Sequence, residues 1–334
     1  MLTYRDAGVD IDAADELLRR LKPLIRSTFT PGVIADIGHF GGFFDARFSD
    51  YEHPVLVAST DGVGTKVKLA IRLGSHSTVG QDLVNHCVND ILCCGARPLF
   101  FLDYFACGRL DIGVAEQVIG GIITACRSNG CALLGGETAE MPSVYAPGDY
   151  DLAGTIIGVV EYSHILDGRS IQPGDVLIGL ASTGLHTNGY SLAMAALRDH
   201  DLETYMPELG SSLGEALLAV HRSYAATLLP VLQRGLAKGI AHVTGGGIVG
   251  NLQRILPRGV VAEIMWDAWQ VPPLFRYIQR AGAIPEEEMR RVFNLGIGMV
   301  LVIAPEHVSE VMALCAEESP VVIGEIRKAS QVGA

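Results

Sequence analysis

One short stretch concentrates residue types that can do chemistry. In "TVGQDLVNHCVNDILCCG" (78–95), Asp82, His86 and Asp90 stand at i, i+4 and i+8, so on a helix they line one side. Gln81, Asn85 and Asn89 join them, and Val79, Leu83, Val84, Cys87, Val88 and Ile91 share the other side. A solvated face favours Lys, Glu and Arg, whereas Asp, Asn and His are poorer helix formers. The pattern predicts a face turned toward a ligand or metal. The plainer alternative is a helix packed on a polar interface.

Further carboxylates converge in the pattern. Asp61 follows the apolar strand "PVLVAS" (54–59) and opens "DGVGTK" (61–66), which is not the Gly-Lys-Ser/Thr ending of the standard phosphate loop. Asp103 interrupts the apolar "LFFLDYFA", where an unpaired charge is costly. Glu137 and Glu140 follow a strand in "GGETAEMP". Oxygen donors supplied this way suit Mg²⁺ with phosphate oxygens. His86 reads as a hydrogen-bonding partner, and no His/Cys cluster has zinc spacing.

Two glycine turns mark the second half. "STGLHTNGYSLA" (182–193) follows a strand, and Thr187, Asn188 and Ser191 can cap the helix after it. "AHVTGGGIVGNL" (241–252) repeats the design with Gly245, Gly246 and Gly247. Either a phosphate or carboxylate site or an ordinary capped turn explains each. There is no nucleophile elbow, kinase-type loop or HExxH motif.

Elements must position these groups. Helices are predicted over 12–28, with Pro23 as a kink, and over 78–94 and 113–127; strands fall at 54–59, 99–107, 131–136 and 150–161. "LDGRSIQPGD" (166–175) reads as a connection. Beyond it, strands near 176–181, 238–243, 259–264, 298–303 and 320–326 alternate with helices near 188–198, 213–234, 246–255, 272–281 and 305–318. The class is α/β in two domains, 1–165 and 166–334, consistent with 334 residues. A formal charge of −12 argues against nucleic acid and anionic membrane as partners, and no apolar run is long enough to span a bilayer. Seven cysteines without a CxxC pair read as reduced thiols of a cytoplasmic protein.

"AGVDIDA" (7–13), "DGVGTK", "CVNDILCCGARPLFFLDYFACGRL" (87–110), "GGETAEMP" (135–142), "HTNGYSL" (186–192), "TGGG" (244–247) and "FNLGIGM" (293–299) occur in order. Together they closely resemble the phosphoribosylformylglycinamidine cyclo-ligases (aminoimidazole ribonucleotide synthetases) of purine biosynthesis, over essentially the whole chain. The resemblance implies an ATP-dependent ring closure of formylglycinamidine ribonucleotide (FGAM) through a phosphorylated amide oxygen. It also implies a homodimer with N-terminal mixed sheets paired into a barrel, ATP bound in that domain, and a C-terminal α/β domain covering the substrate cleft.

With that family in view, Asp61 and Asp90, then Asp103 and Glu137, are the expected Mg²⁺ ligands. Lys22, Asp61, Gly62, Val63, Gly64, Thr65, Lys66, Asp82, Asn89 and Asp90 are expected at ATP, and 36–44 as a lid. His186, Thr187, Asn188, Ser191, Gly245, Gly246 and Gly247 are expected to hold substrate, with Lys66, His186 and His242 as catalytic groups. Two positions depart from the family pattern: His39 in Gly38-His39-Phe40-Gly41, and Gly250 before Asn251. Other ATP-using members of the superfamily are the alternative: formylglycinamidine ribonucleotide synthase, selenophosphate synthetase and thiamine-phosphate kinase. The first cysteine is Cys87, without the reactive N-terminal residue usual in selenophosphate synthetases.

Overall fold

The computed structural model describes residues 2–331. The chain divides into two compact units, one of residues up to 91 with 97–161, the other of 92–96 with residues from 162 onward.

The first unit contains, in chain order, α1 (Ile11–Arg26), β1 (Pro54–Gly62), α2 (Lys66–Leu73), α3 (Ser77–Leu92), β2 (Arg97–Cys107), α4 (Ile112–Ser128), β3 (Ala132–Glu140) and β4 (Tyr150–Glu161). The Asp10 side chain accepts the Ala13 N–H to start α1, and Asp111 does the same for α4 through Val114. Helix α1 runs through Pro23 to Arg26. Helix α2 ends at Gly74, whose φ of 60° closes the last turn. The sheet order is β1-β4-β2-β3, antiparallel except for the parallel β2–β3 pair. This is the mixed sheet expected. Phe101 and Phe105 of β2 are buried on its helix side, while Leu102 and Tyr104 between them point the other way, each 37% exposed.

The second unit contains β5 (Val176–Ala181), α5 (Tyr190–Ala196), a short β6–β7 pair (Tyr205–Met206, Ser211–Ser212), α6 (Leu213–Leu218), α7 (Ala225–Gln233), β8 (Ala237–His242) and α8 (Gly247–Gln253). It continues with β9 (Val260–Ile264), α9 (Pro273–Ala281), α10 (Glu286–Val292), β10 (Ile297–Ile303), α11 (Val308–Leu314) and β11 (Val321–Lys328). The sheet order is β8-β10-β5-β11-β9, and each neighbouring pair is antiparallel. All seven residues of β10 are buried, as befits a strand covered on both faces. Leu177, Val300, Val302, Ile323 and Leu252 meet in the core.

Several elements differ from expectation. The helix anticipated over 213–234 breaks into α6 and α7, and the intervening 219–224 is irregular. Helices α2 and α10 were not anticipated; each is eight residues or fewer, too short for a clear helical period.

Candidate active-site clusters in the two units

In the first unit, β1 ends at Asp61 and Gly62, and the chain turns into α2 with Gly64 at φ 69°. This delivers Asp61 to α3, where its Oδ2 lies 2.8 Å from His86 Nε2. Asp90 Oδ2 lies 3.8 Å from the same nitrogen and accepts a 3.1 Å hydrogen bond from Ser59 Oγ. Burial alone would lower the His86 pKa, but the Asp61 hydrogen bond and the Asp90 and Asp61 charges outweigh it, so the net shift is upward. The Asp61 and Asp90 side chains keep 45% and 29% of their exposure. Two partly open carboxylates on one imidazole can exchange that contact for a cation.

The rest of the polar helix face is turned inward. Asp82 Oδ2 lies 2.8 Å from Lys66 Nζ, and both side chains are fully buried. Burial pulls the Lys66 ammonium below its ordinary range, and Asp82 offsets part of that. Lys66 is therefore a buried ion-pair partner rather than a solvent-facing charge for phosphate. Asn85 Oδ1 accepts a 2.8 Å bond from Asn129 Nδ2, and Asn89 is fully buried. Much of the face thus follows the plainer alternative, a polar interface satisfied within the fold. The four-residue spacing of Asp82, His86 and Asp90 was legible; which of them stays accessible was not.

Asp103 and Glu137 do not join Asp61 and Asp90. Asp61 pairs with Gly154 of β4, and Gly154 pairs in turn with Asp103 of β2. The two carboxylates thus share the helix side of the sheet, two strand spacings or roughly 10 Å apart. A Cβ at Gly154 would lie 2.1 Å from the Phe101 ring and 3.1 Å from Leu83 Cδ2, so apolar side chains occupy the space over Gly154. Glu137 pairs with Tyr104, which puts it on the opposite face. Glu140 is occupied structurally, accepting the Asp10 and Leu110 N–H groups at 2.7 Å each.

Asp103 instead borders a cavity of 580 Å³ whose roof is the glycine-rich segment Ile37–Gly42 and whose floor includes Leu17, Leu21 and Leu133. Burial pushes the Asp103 carboxyl up to about 7. Lys22 reaches this roof, with Nζ 3.3 Å from both Ile37 O and Asp36 Oδ2, and Arg26 pairs with Asp36 as well. His39 lies within the roof.

In the second unit, the loops after β5 and β8 meet the start of β10. His186 adopts φ 63°, a left-handed conformation uncommon for a side chain, and its Nε2 accepts the Thr183 N–H at 3.2 Å. A Cβ at Gly298 of β10 would lie 2.6 Å from His186 Cε1 and 2.1 Å from Tyr224 Oη, so only glycine leaves room for the imidazole. Asn294, just before β10, holds the loop after β5, accepting from Ser182 Oγ at 2.9 Å and donating to Gly184 O at 2.8 Å. The N-cap of α5 is Gly189, with no side-chain cap, so Thr187, Asn188 and Ser191 do not serve as expected there. Asn188 Oδ1 instead accepts the Gly245 N–H at 3.0 Å and binds the two glycine turns together. Its Nδ2 is buried without a hydrogen-bond partner among the described residues. Asn251 Nδ2 donates 2.9 Å to Gly247 O and braces the triple-glycine turn.

Sequence reading missed His221, which is fully buried in the irregular 219–224 segment. Its Nε2 lies 3.0 Å from His242 Nε2, and its ring stacks on His186 with centroids 4.0 Å apart. A single histidine in "AVHRSY" has no periodic partner, so nothing local marks it. All seven cysteines are free, and among the described residues no helix is long and apolar enough to cross a membrane.

The chain matches two protein families, "AIR synthase related protein, N-terminal domain" over 45–160 and "AIR synthase related protein, C-terminal domain" over 172–334. It is 50% identical to the phosphoribosylformylglycinamidine cyclo-ligase of Syntrophotalea carbinolica, over 99% of this chain and 96% of that protein. The enzyme of the same name from Bordetella pertussis is 51% identical over 97% and 94% of the two chains. Among solved structures, thiamine-monophosphate kinase from Stenotrophomonas maltophilia superposes with a TM-score of 0.67 at 19% identity, covering 92% of this chain and 93% of its own. The hydrogenase maturation protein HypE, solved in complex with ATP, gives 0.67 at 19% identity, over 98% and 90% of the two chains. These last two likenesses are likenesses of fold.

Proposed function

This chain belongs to the phosphoribosylformylglycinamidine cyclo-ligase family, and from that premise we propose how its two clusters share the work of an ATP-dependent ring closure. The reaction turns FGAM into 5-aminoimidazole ribonucleotide (AIR) in purine biosynthesis. The amide oxygen attacks the γ-phosphorus and ADP leaves. The amidine nitrogen attacks the resulting imidate carbon, the C–O bond breaks, phosphate departs and the nitrogen gives up a proton.

The structural observation that carries this assignment is Asp61 and Asp90 gathered on His86. Their hard, partly exposed oxygens fit Mg²⁺, which takes few protein carboxylates and completes its shell with phosphate oxygens and water. Bound there, the metal would neutralise charge on the transferring phosphoryl group. His86 and Ser59 orient the two carboxylates for it. The 580 Å³ cavity lined by residues 37–42, of a volume usual for ligand sites, is assigned to the adenosine part of the nucleotide, with Lys22 beside it.

In the second unit, Asn188 Nδ2 supplies a buried donor for an oxygen of the ribonucleotide, next to the Gly245–Gly247 turn. His186 and His242 serve proton transfer at the reacting nitrogen. The sheet face of the first unit that carries Leu56, at 59% exposure, and Leu102 and Tyr104 supports a homodimer formed through that face. A cytoplasmic location fits the free cysteines.

Purified protein given FGAM, ATP and Mg²⁺ is expected to release ADP and AIR in equal amounts. Absence of both products would overturn the assignment. ATP use with thiamine monophosphate in place of FGAM would move it to a neighbouring activity of the superfamily.

A further inference from the structure

We propose that His221 is a positioning residue that sets the orientation and tautomer of His242; this rests on the reading of His242 as a proton-transfer group. His221 is fully buried and stands at the junction of three residues already placed in the site. Its Nε2 is 3.0 Å from His242 Nε2, its Nδ1 is 3.3 Å from Thr187 Oγ1, and its ring lies on His186 at 4.0 Å with 20° between the planes.

Two imidazole nitrogens at 3.0 Å require one proton between them: one ring donates and the other accepts. The Thr187 hydroxyl can do either. The neutral chain therefore has two arrangements. In one, His221 Nδ1–H donates to Thr187 Oγ1, and His221 Nε2 accepts from His242 Nε2–H; His242 then carries a lone pair on Nδ1. In the other, Thr187 donates to His221 Nδ1, His221 Nε2–H donates to His242 Nε2, and His242 carries its proton on Nδ1. The same atom of His242 is a proton acceptor in the first arrangement and a proton donor in the second. Passing from the first to the second takes one proton in at His242 Nδ1 and releases one from the Thr187 hydroxyl, so the net charge of the chain is unchanged.

The stack on His186 holds the His221 plane, and the left-handed His186 backbone with Gly298 beneath it fixes that stack. Three imidazoles this close also offer the donor set of a zinc site. The Thr183 N–H on His186 Nε2 and the His221–His242 bond, however, engage lone pairs such a metal would need.

Three variants separate the roles. The amide nitrogen of Gln can stand near the position of His Nε2, that of Asn near Nδ1, and Phe keeps the ring without either nitrogen. His221→Phe is expected to lower kcat about tenfold or more while KM for FGAM moves less than about threefold. His221→Gln should recover most of that loss, and His221→Asn should not. Nitrogen-15 spectra of the unaltered protein should show scalar coupling between His221 and His242 across their shared proton, and the His242 tautomer signals should change in His221→Phe. Wild-type kcat in His221→Phe would mean that the ring only fills space, and would overturn the proposal. Absence of the coupling in the unaltered protein would overturn it too, with no variant needed. If His242→Ala leaves kcat unchanged, the reading of His242 fails; the coupling and the tautomer change still decide whether His221 positions it.

Discussion

Around α3 of the first unit, basic side chains meet carboxylates: His86 meets Asp61 and Asp90, and Lys66 meets Asp82. In the second, His221 meets His242, Thr187 and His186, groups without a fixed charge. The first arrangement suits a highly charged ligand, because fixed charges in a fold can trade partners with phosphate and metal. The second suits the placing of single protons, because hydrogen-bond direction depends on which neutral tautomer is present. Yet the contacts around α3 are not alike. The Lys66–Asp82 pair has no exposure, whereas the Asp61 and Asp90 carboxylates stay partly open. One supports the fold and the other is available to a ligand.

That contrast breaks most severely at Lys66. Lys66→Met leaves Asp82 buried without its cation and should destabilise the protein by about 3–5 kcal/mol in urea unfolding. Lys66→Met with Asp82→Leu should restore most of this. Unchanged stability with lost ATP turnover would return Lys66 to a phosphate-binding role. Asp90→Asn should do the reverse, lowering kcat by about 100-fold or more with the melting temperature nearly unchanged, since the change is isosteric. Wild-type turnover there would end the metal role of Asp90.

In the second unit the sensitive point is a buried contact without charge. Gly298→Ala puts a methyl group against His186 and Tyr224, and should cost about 1–3 kcal/mol with a fall in kcat. A fully active, equally stable variant would show that His186 can move freely. The smallest effect is expected at Asp103. Burial raises its carboxyl to about 7, so the folded state holds this proton more tightly than the unfolded chain does. Its stabilising contribution is full below the ordinary carboxylate range and is lost as pH rises through about 7. Asp103→Asn should therefore raise the melting temperature by a few degrees at pH 8 and by less as pH falls below 7. An equal gain at both pH values would rule out titration of Asp103 as the cause.

Strands and long helices were legible because their patterns survive in single residues: the apolar run "LFFLDYFA" marked β2, and the apolar stripe of 78–95 marked α3. What did not survive was accessibility. Asp82 and Asp90 are equivalent in period, and only the tertiary position of Lys66 distinguishes them. The separation of Asp103 from Asp61 depends on β4 lying between β1 and β2, a sheet order that no local pattern encodes. His221 was hidden for a related reason: its 219–224 segment has no regular structure, so its contacts come only from where α6 and α7 leave it.

The backbone at His186 has one more consequence. A left-handed residue is most comfortable as glycine, with asparagine next, and a bulky imidazole there stores strain. Glycine or asparagine at 186 would relax that backbone but empty the place of a buried ring. A variant chosen for backbone comfort alone would therefore lose the support of His221 and the acceptor of the Thr183 N–H together.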